Sequence, residues 1–236
     1  MSLLNTPFWE VVKASFDPKV WKEIWPATLE TLYMTLIASL VTLFFGLFLG
    51  IILTFTDKEG LHPVIPFNAT LGGIINCLRS LPQMIMIILM IPVARLVFGR
   101  SYGINSCILA LAASCIPMYA RIVQSSLLEI AKGKIEAAKS VGSTNFQIIV
   151  HILLPETLPS LIRGFTVAVI AIISMTALAG SFGAGGIGDI AVRFGFQRFQ
   201  HDTLFACVYV LIILVQFIQL AGDFVSKLIL KKRHLI

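Results

Sequence analysis

Charge is scarce in this chain of 236 residues: Asp, Glu, Lys and Arg make up 13% of it, against about 25% in soluble domains. Hydrophobic residues reach 57%, and the mean hydropathy is +0.91. A soluble domain of this size must solvate its outer face and has too little polar surface here to do so. A soluble enzyme, a disordered tail and a secreted disulfide scaffold are excluded. Cysteine is equally sparse. Cys77, Cys107, Cys115 and Cys207 form no C-x-x-C pair, and three of them lie inside apolar runs, so they read as small packing residues. His62, His151, His201 and His234 are scattered, which leaves a metal site without support. No basic n-region precedes an apolar core at Met1–Asn5, so a cleaved signal peptide is not expected. There is no nucleophile elbow and no His/carboxylate pairing within an apolar run, which disfavours a membrane enzyme.

What the chain has instead is long apolar stretches. Crossing about 30 Å of hydrocarbon takes about 20 apolar residues. Five stretches qualify or come close: about Leu32–Phe55, Pro82–Phe98 with a kink expected at Pro92, Ile104–Ala120 with Pro117 near its end, Ile162–Leu178 and Leu204–Leu228. In lipid each must satisfy its own backbone hydrogen bonds, so helices are expected. The fold class is all-α, a polytopic membrane helical bundle with about five transmembrane helices. Ahead of it, Trp9, Val12 and Phe16, then Trp21, Ile24 and Trp25, recur at helical spacing among charged residues. Either a helix lying in the membrane interface or a flexible tail fits them, with Pro18 and Pro26 expected to break the segment. The expected organisation is an N-terminal interfacial segment at 1–28, a membrane domain at 29–232 and a tail at 233–236.

The net charge of +6 comes from 18 basic against 12 acidic residues. The basic residues punctuate apolar runs and form no aromatic-interleaved face, so nucleic acid is not the expected partner. With five spans the termini face opposite sides. One side collects Lys58, Arg79, Arg121, Lys132, Lys134, Lys139, Arg163, Lys227, Lys231, Lys232 and Arg233; the other has Lys13, Lys19, Lys22, Arg100, Arg193 and Arg198. The positive-inside rule puts the richer side in the cytoplasm, with the N-terminus outside and the C-terminus inside.

Between the third and fourth stretches lie about forty residues that are not membrane-like, long for a connection in a compact helical protein. Ser126-x-x-Glu129 reads as a capping box opening a helix, which Gly133 interrupts. Lys134–Val141 reads as a second helix closed at Gly142, where a left-handed cap is cheap. Thr144-x-x-Gln147 reads as another capping box, opening a helix through Ile148, Ile149, Ile152 and Leu153 that Pro155 ends; Pro159 then suits the first turn of the fourth span. Small side chains at Ala137 and Ala138, edged by Glu136 and Lys139, would let another protein approach the backbone closely. The alternative is an amphipathic helix pair resting on the bilayer.

Glu136-Ala137-Ala138, three residues, Gly142, nine residues and Ile152-x-Leu154-Pro155 resemble the EAA loop of ABC importer permeases. Arg79-Ser80-Leu81-Pro82, Met90-Ile91-Pro92-Val93-Ala94-Arg95, Gly183-Ala184-Gly185-Gly186-Ile187-Gly188 and Ala221-Gly222-Asp223 look like the methionine-importer branch, and the match covers about Thr28–Lys232. The N-terminal tail is longer than expected for that branch. The resemblance implies a bacterial inner-membrane permease subunit for methionine, or for another amino acid or small solute. It implies coupling of ATP hydrolysis on a partner to alternating access of a homodimeric pore. The coupling helix would be formed by Glu136, Ala137, Ala138, Lys139, Ser140, Gly142, Ser143 and Thr144, inserted into an ATPase subunit. Implied partners are an ABC ATPase dimer, an extracytoplasmic binding protein docked near Ser181–Arg198, a second copy of the chain and membrane lipid.

The chain contains no G-x-x-x-x-G-K-[ST], so ATP and Mg are expected on a separate chain, with no cofactor on this one. Gly183–Gly188 formally fits G-x-G-x-x-G but follows a membrane span, so a dinucleotide site is not expected. Its glycines, Gly183, Gly185, Gly186 and Gly188, would let an outer loop turn and pack closely. Gly46-x-x-x-Gly50 and Ala110, Ala112, Ala113 and Ser114 permit close helix approach and read as intramembrane packing. Arg95 lies at membrane depth near a helix end, where it would either snorkel or serve the pathway. Met175 and Leu178 are expected to narrow the pore near its outer end. An ATP-independent channel is the alternative of a different class.

Overall fold

Helix α1 (Phe8–Ala14) is followed by α2 (Pro18–Phe55), which is 38 residues long. The computed structural model of the chain describes residues 7–232. The expectations for Met1–Asn5, His234 and the tail at 233–236 therefore lie outside the described residues. Helices α3 (Ile65–Ser80), α4 (Gln83–Phe98) and α5 (Ile104–Leu128) follow, then the short α6 (Lys132–Ser140) and α7 (Asn145–Ile148). A π-helical turn at Ile149–Leu153 leads into α8 (Leu154–Ala179). A π-turn at Gly180–Ala184, α9 (Gly186–Ile190), a π-turn at Ala191–Phe196 and α10 (His201–Lys232) complete the described chain. Among the described residues four helical runs are long and apolar enough to cross a membrane, and five if α3 and α4 together count as one span.

The chain divides into two units. One takes the residues up to Leu40 with Leu81–Ser114 and Val169–Ile218; the other takes Val41–Ser80, Cys115–Ala168 and the residues from Gln219 onward. The first is centred on Ile24, Ala27, Ile187, Ile190, Ala206 and Cys207. The second is centred on Tyr119, Val123, Leu127, Ala138, Ile148, Leu153, Leu161 and Ala168. Gly46 and Gly50 of α2 lie directly against Tyr119 and Val123 of α5, the close approach read from G-x-x-x-G. Ala110 and Ala112 are buried, and Ser114 Oγ donates back to the Ala110 carbonyl.

Prolines account for most departures from the sequence reading. Pro18 opens α2, where its missing N–H costs nothing, and Asp17 Oδ1 accepts the Lys19 N–H at 2.9 Å. Pro26 does not break the segment; it sits inside α2, and the helix runs through the boundary expected at residue 28. Flanking Pro26, Ile24 is 1% exposed and Ala27 is buried, and burying these residues outweighs one lost backbone bond. Trp21, Ile24 and Trp25 therefore belong to the long helix and not to a separate interfacial one, while Trp9 and Val12 lie on α1. Pro117 and Pro159 also lie within helices. The Pro159 carbonyl accepts the Ser226 hydroxyl at 3.2 Å.

Pro155 does not end a helix either. The Leu154 N–H reaches back five residues to the Ile149 carbonyl. This widened turn carries the chain past a proline that has no N–H for the residue 151 carbonyl, and α8 begins one residue earlier, at Leu154. Ser126-x-x-Glu129 opens no helix: Ser126 is buried on α5, and the Glu129 N–H closes that helix on the Ser125 carbonyl. Gly133 does not interrupt a helix; it lies in the first turn of α6. Helix α3 was not anticipated. Its signal was present in Pro66 at the start and in Leu71, Ile74, Ile75 and Leu78 at helical spacing.

Candidate functional site: a helix–turn–helix knob and a glycine-rich segment

Residues 131–148 form a knob on the second unit. Helix α6 ends in two backbone bonds, from Gly142 N to the Lys139 carbonyl at 3.0 Å and from Ser143 N to the Ala138 carbonyl at 3.1 Å. This is the six-to-one, five-to-two closure that needs a left-handed residue, and Gly142 supplies it with φ +81°. Thr144 then caps α7. Its N–H donates to Gln147 Oε1 at 2.8 Å, and its hydroxyl oxygen accepts the Gln147 N–H at 3.3 Å. The reciprocal box expected from the sequence is therefore present.

The knob buries one side and exposes the other. Ala138 is 7% exposed and faces Ile148 and Leu153, so it forms the root of the knob and not, as expected, part of its approachable face. Glu136, Ala137, Lys139, Ser140, Gly142 and Thr144 are exposed, Ser143 is half-buried, and Ser140 Oγ donates to the Ala137 carbonyl. Two large apolar side chains absent from the expected set stand out: Val141 is 80% exposed and Phe146 72%. Both flank the Gly142 turn. Apolar residues beside a glycine stop, in an otherwise polar segment, were the sequence signal for them.

Two ion pairs tether the knob. Lys132 Nζ lies 2.6 Å from Glu59 Oε2 in the α2–α3 loop, and Lys134 Nζ lies 2.5 Å from Glu156 Oε1 at the start of α8. All four side chains are well exposed, so each pair contributes little to stability and acts as a local register. The Lys132 ammonium, by its hydrogen bond first and its charge second, holds the Glu59 carboxyl below the ordinary carboxylate range. Behind the tethers, a cavity of about 70 Å³ is walled by Ile51, Thr54, Phe55, Leu61, Ile135 and Ile149, with Glu59, Lys132 and Lys139 at its polar end.

The glycine-rich segment belongs to the first unit. Glu30 Oε2 accepts the Gly186 N–H at 2.8 Å, and Thr31 Oγ1 accepts the Ile187 N–H at 2.9 Å. Two of the orphan donors at the start of α9 are thereby satisfied by α2. Gly186 has φ +84°, Gly188 is packed against the backbone of Ala177, and both are buried; Gly183 is exposed. Arg193 pairs with Asp189 at 2.9 Å, and Arg193 and Arg198 both lie over the Phe194 ring. Glu30 and Thr31 were missed in the sequence, because nothing local marks a span residue as a cap for a helix 156 positions away.

The expected pore residues fall in different environments. Met175 is 2% exposed, whereas Leu178, three residues further along α8, is 39% exposed. Arg95 is exposed in the last turn of α4, its carbonyl accepting the Gly99 N–H.

Long apolar helices with an exposed helix–turn–helix and a glycine segment gripped at its backbone define a polytopic helical membrane protein. Residues 46–234 match the family model described as the binding-protein-dependent transport system inner membrane component, and the chain belongs to that family. It is 43% identical over 197 residues to the probable D-methionine transport system permease protein MetI of Vibrio cholerae, covering 84% of this chain and 88% of that one. It is 40% identical over 210 residues to the methionine import system permease protein MetP of Bacillus subtilis, covering 89% and 95% respectively. Among solved structures, a chain of the MetNI methionine ABC transporter in an inward-facing conformation superposes with a TM-score of 0.85 at 33% identity, over 90% of this chain and 98% of that one.

Proposed function

We propose that this chain is the permease subunit of an ATP-driven importer for methionine. Two copies would enclose the pathway, and hydrolysis would take place on a separate ABC ATPase. The observation that carries this reading is the exposed Lys132–Gln147 knob, rooted in the helical core through Ala138 and Ile148 and presenting Val141 and Phe146 to solvent. Apolar side chains on a polar knob suit a partner's cleft. The methionine-transport relatives support the substrate.

In this mechanism ATP closes the ATPase pair, and its clefts carry the two knobs with them. The knob continues into α8 through the π-turn at Ile149–Leu153, so its displacement tilts α8 and, with it, Met175 and Leu178. Glu136, Lys139, Ser140, Ser143 and Thr144 supply the polar rim of the docking surface. The binding protein that delivers substrate outside docks over the loops near Ser181–Arg198, with the glycine segment packed beneath it. Arg95 serves at the outer end of its helix. The N-terminus lies outside and the C-terminus in the cytoplasm.

The test is reconstitution with the cognate ATPase and uptake of labelled methionine. ATP-dependent uptake is expected; uptake that ignores ATP identifies a channel and rejects the proposal. Gly142→Pro removes the φ +81° turn. This variant should insert normally and bind the ATPase poorly, and uptake should fall at least about tenfold. A thiol probe on Ser143→Cys should react only from the cytoplasmic side.

A further inference from the structure

Three conspicuous basic side chains, Lys132, Lys134 and Arg193, have carboxylate partners within ion-pair distance; Arg79 and Arg121 do not, among the described residues. Arg79 is in the last turn of α3, and Arg121 begins the last two turns of α5. Both line one open cleft of about 530 Å³ together with Ile122, Gln124, Ser125 and Leu128. The cleft thus has two guanidiniums, an amide, a hydroxyl and two aliphatic side chains in its lining.

Arg121 is fixed in place. Its Nη1 donates to Gln124 Oε1 at 2.6 Å and its Nη2 donates to the Gly72 carbonyl at 2.7 Å. A Cβ at position 72 would stand 3.0 Å from that Nη2, so the glycine admits the guanidinium to the α3 backbone. Its Nε is buried and has no hydrogen-bond partner among the described residues. Asp57 is near enough for its charge to reach Arg121, but it makes no ion pair there; its Oδ1 accepts the Glu59 N–H of its own loop. Two cations lining one cleft repel each other, and an anion between them relieves that repulsion.

We propose that Arg79 and Arg121 bind one phosphate-type oxyanion in this cleft. Guanidinium forks match phosphate oxygens in pairs, Gln124 and Ser125 offer further donors, and Ile122 and Leu128 add aliphatic surface that an acyl chain can touch. Two sources share that chemistry, the headgroup of an anionic phospholipid and free phosphate. Paired basic residues near the end of a membrane helix favour the headgroup.

The experiment uses the purified full chain in neutral detergent, with phosphatidylglycerol and phosphatidylcholine of equal acyl length, read by native mass spectrometry. Phosphatidylglycerol should be retained at least about tenfold more tightly. Arg79→Gln, which removes no side-chain hydrogen bond among the described residues, should abolish the preference, and Arg79→Lys should restore part of it. Arg121→Gln should also abolish it but disturbs the contact with α3, so Arg79 carries the decision. Displacement by excess inorganic phosphate assigns the site to the free ion; persistence assigns it to the headgroup. Equal retention of both lipids with no retention of labelled phosphate overturns the proposal, as does unchanged binding in Arg79→Gln. None of these readouts involves the ATPase or methionine, so failure here leaves the transport reading intact.

Discussion

The segment at Gly180–Ile190 and the knob at Lys132–Ile148 are both short helical pieces joined at glycines, yet they are held by different physics. The first is gripped by backbone: α2 caps its donors through Glu30 and Thr31, and Gly188 lies against the Ala177 main chain. The second is rooted through Ala138 and Ile148, but its turn is held by its own caps and its flanks by two exposed ion pairs, and a Cβ at Gly142 would meet nothing within 4 Å. The first segment has left-handed glycines too, but at Gly188 glycine is used for close approach alone, and at Gly142 for a left-handed turn alone. Gly188 should therefore reject any side chain, and Gly142 only what φ +81° excludes.

The sharpest way to break this contrast is Gly188→Val. Its Cβ would overlap the Ala177 main chain, which cannot move aside without unpacking α8. A destabilisation of about 3 kcal/mol is expected. Gly142→Ala should cost only about 1 kcal/mol, for a left-handed alanine. Thermal unfolding in detergent compares the two; equal shifts would mean that the glycines do the same job.

Glu30→Ala should follow in size. It strips the acceptor from the buried Gly186 N–H, a loss of about 1–3 kcal/mol, and Glu30→Gln should recover most of it because an amide oxygen still accepts. If the glutamine variant is as unstable as the alanine variant, charge and not the hydrogen bond anchors α9. On the knob, Thr144→Ala removes one half of the capping box, for about 1 kcal/mol. The effect should be local: amide exchange at Asn145–Gln147 should quicken while the unfolding midpoint barely moves. A global shift would show that the knob is welded to the core as firmly as the glycine segment.

How far the sequence could be read follows the same division. The knob was legible because its signals are local: Gly142, Thr144 and Gln147 act on neighbours within five residues. The long apolar runs were legible too, since composition alone sets a membrane helix. What escaped reading depends on distant packing. Pro26 and Pro155 look like breaks until Ile24 and Ala27 are seen buried and the π-turn before Leu154 is seen carrying the chain on. Ala138 looks available until Ile148 and Leu153 cover it. Glu30 and Thr31 carry no mark of the backbone they grip.

The smallest expected effect concerns the tether between Glu59 and Lys132, and it tests whether the knob's ion pairs matter at all. The Glu59 carboxyl titrates below its unfolded value of about 4.3 because the lysine hydrogen-bonds to it and attracts its charge. A folded value below the unfolded one means the pair stabilises above that unfolded value and loses its contribution as pH falls through the folded one. The difference in unfolding midpoint between the native chain and Glu59→Gln should therefore be small but measurable near neutrality, shrink with added salt, and vanish in acid below the folded carboxyl's titration. Both side chains are more than half exposed, so screening keeps the difference small even at low ionic strength. A difference that persists in acid, where the glutamate has lost its charge, would show that residue 59 acts through packing of the α2–α3 loop and not through the ion pair. The knob would then be anchored by contact, as the glycine segment is, and the contrast between the two regions would fail at this point.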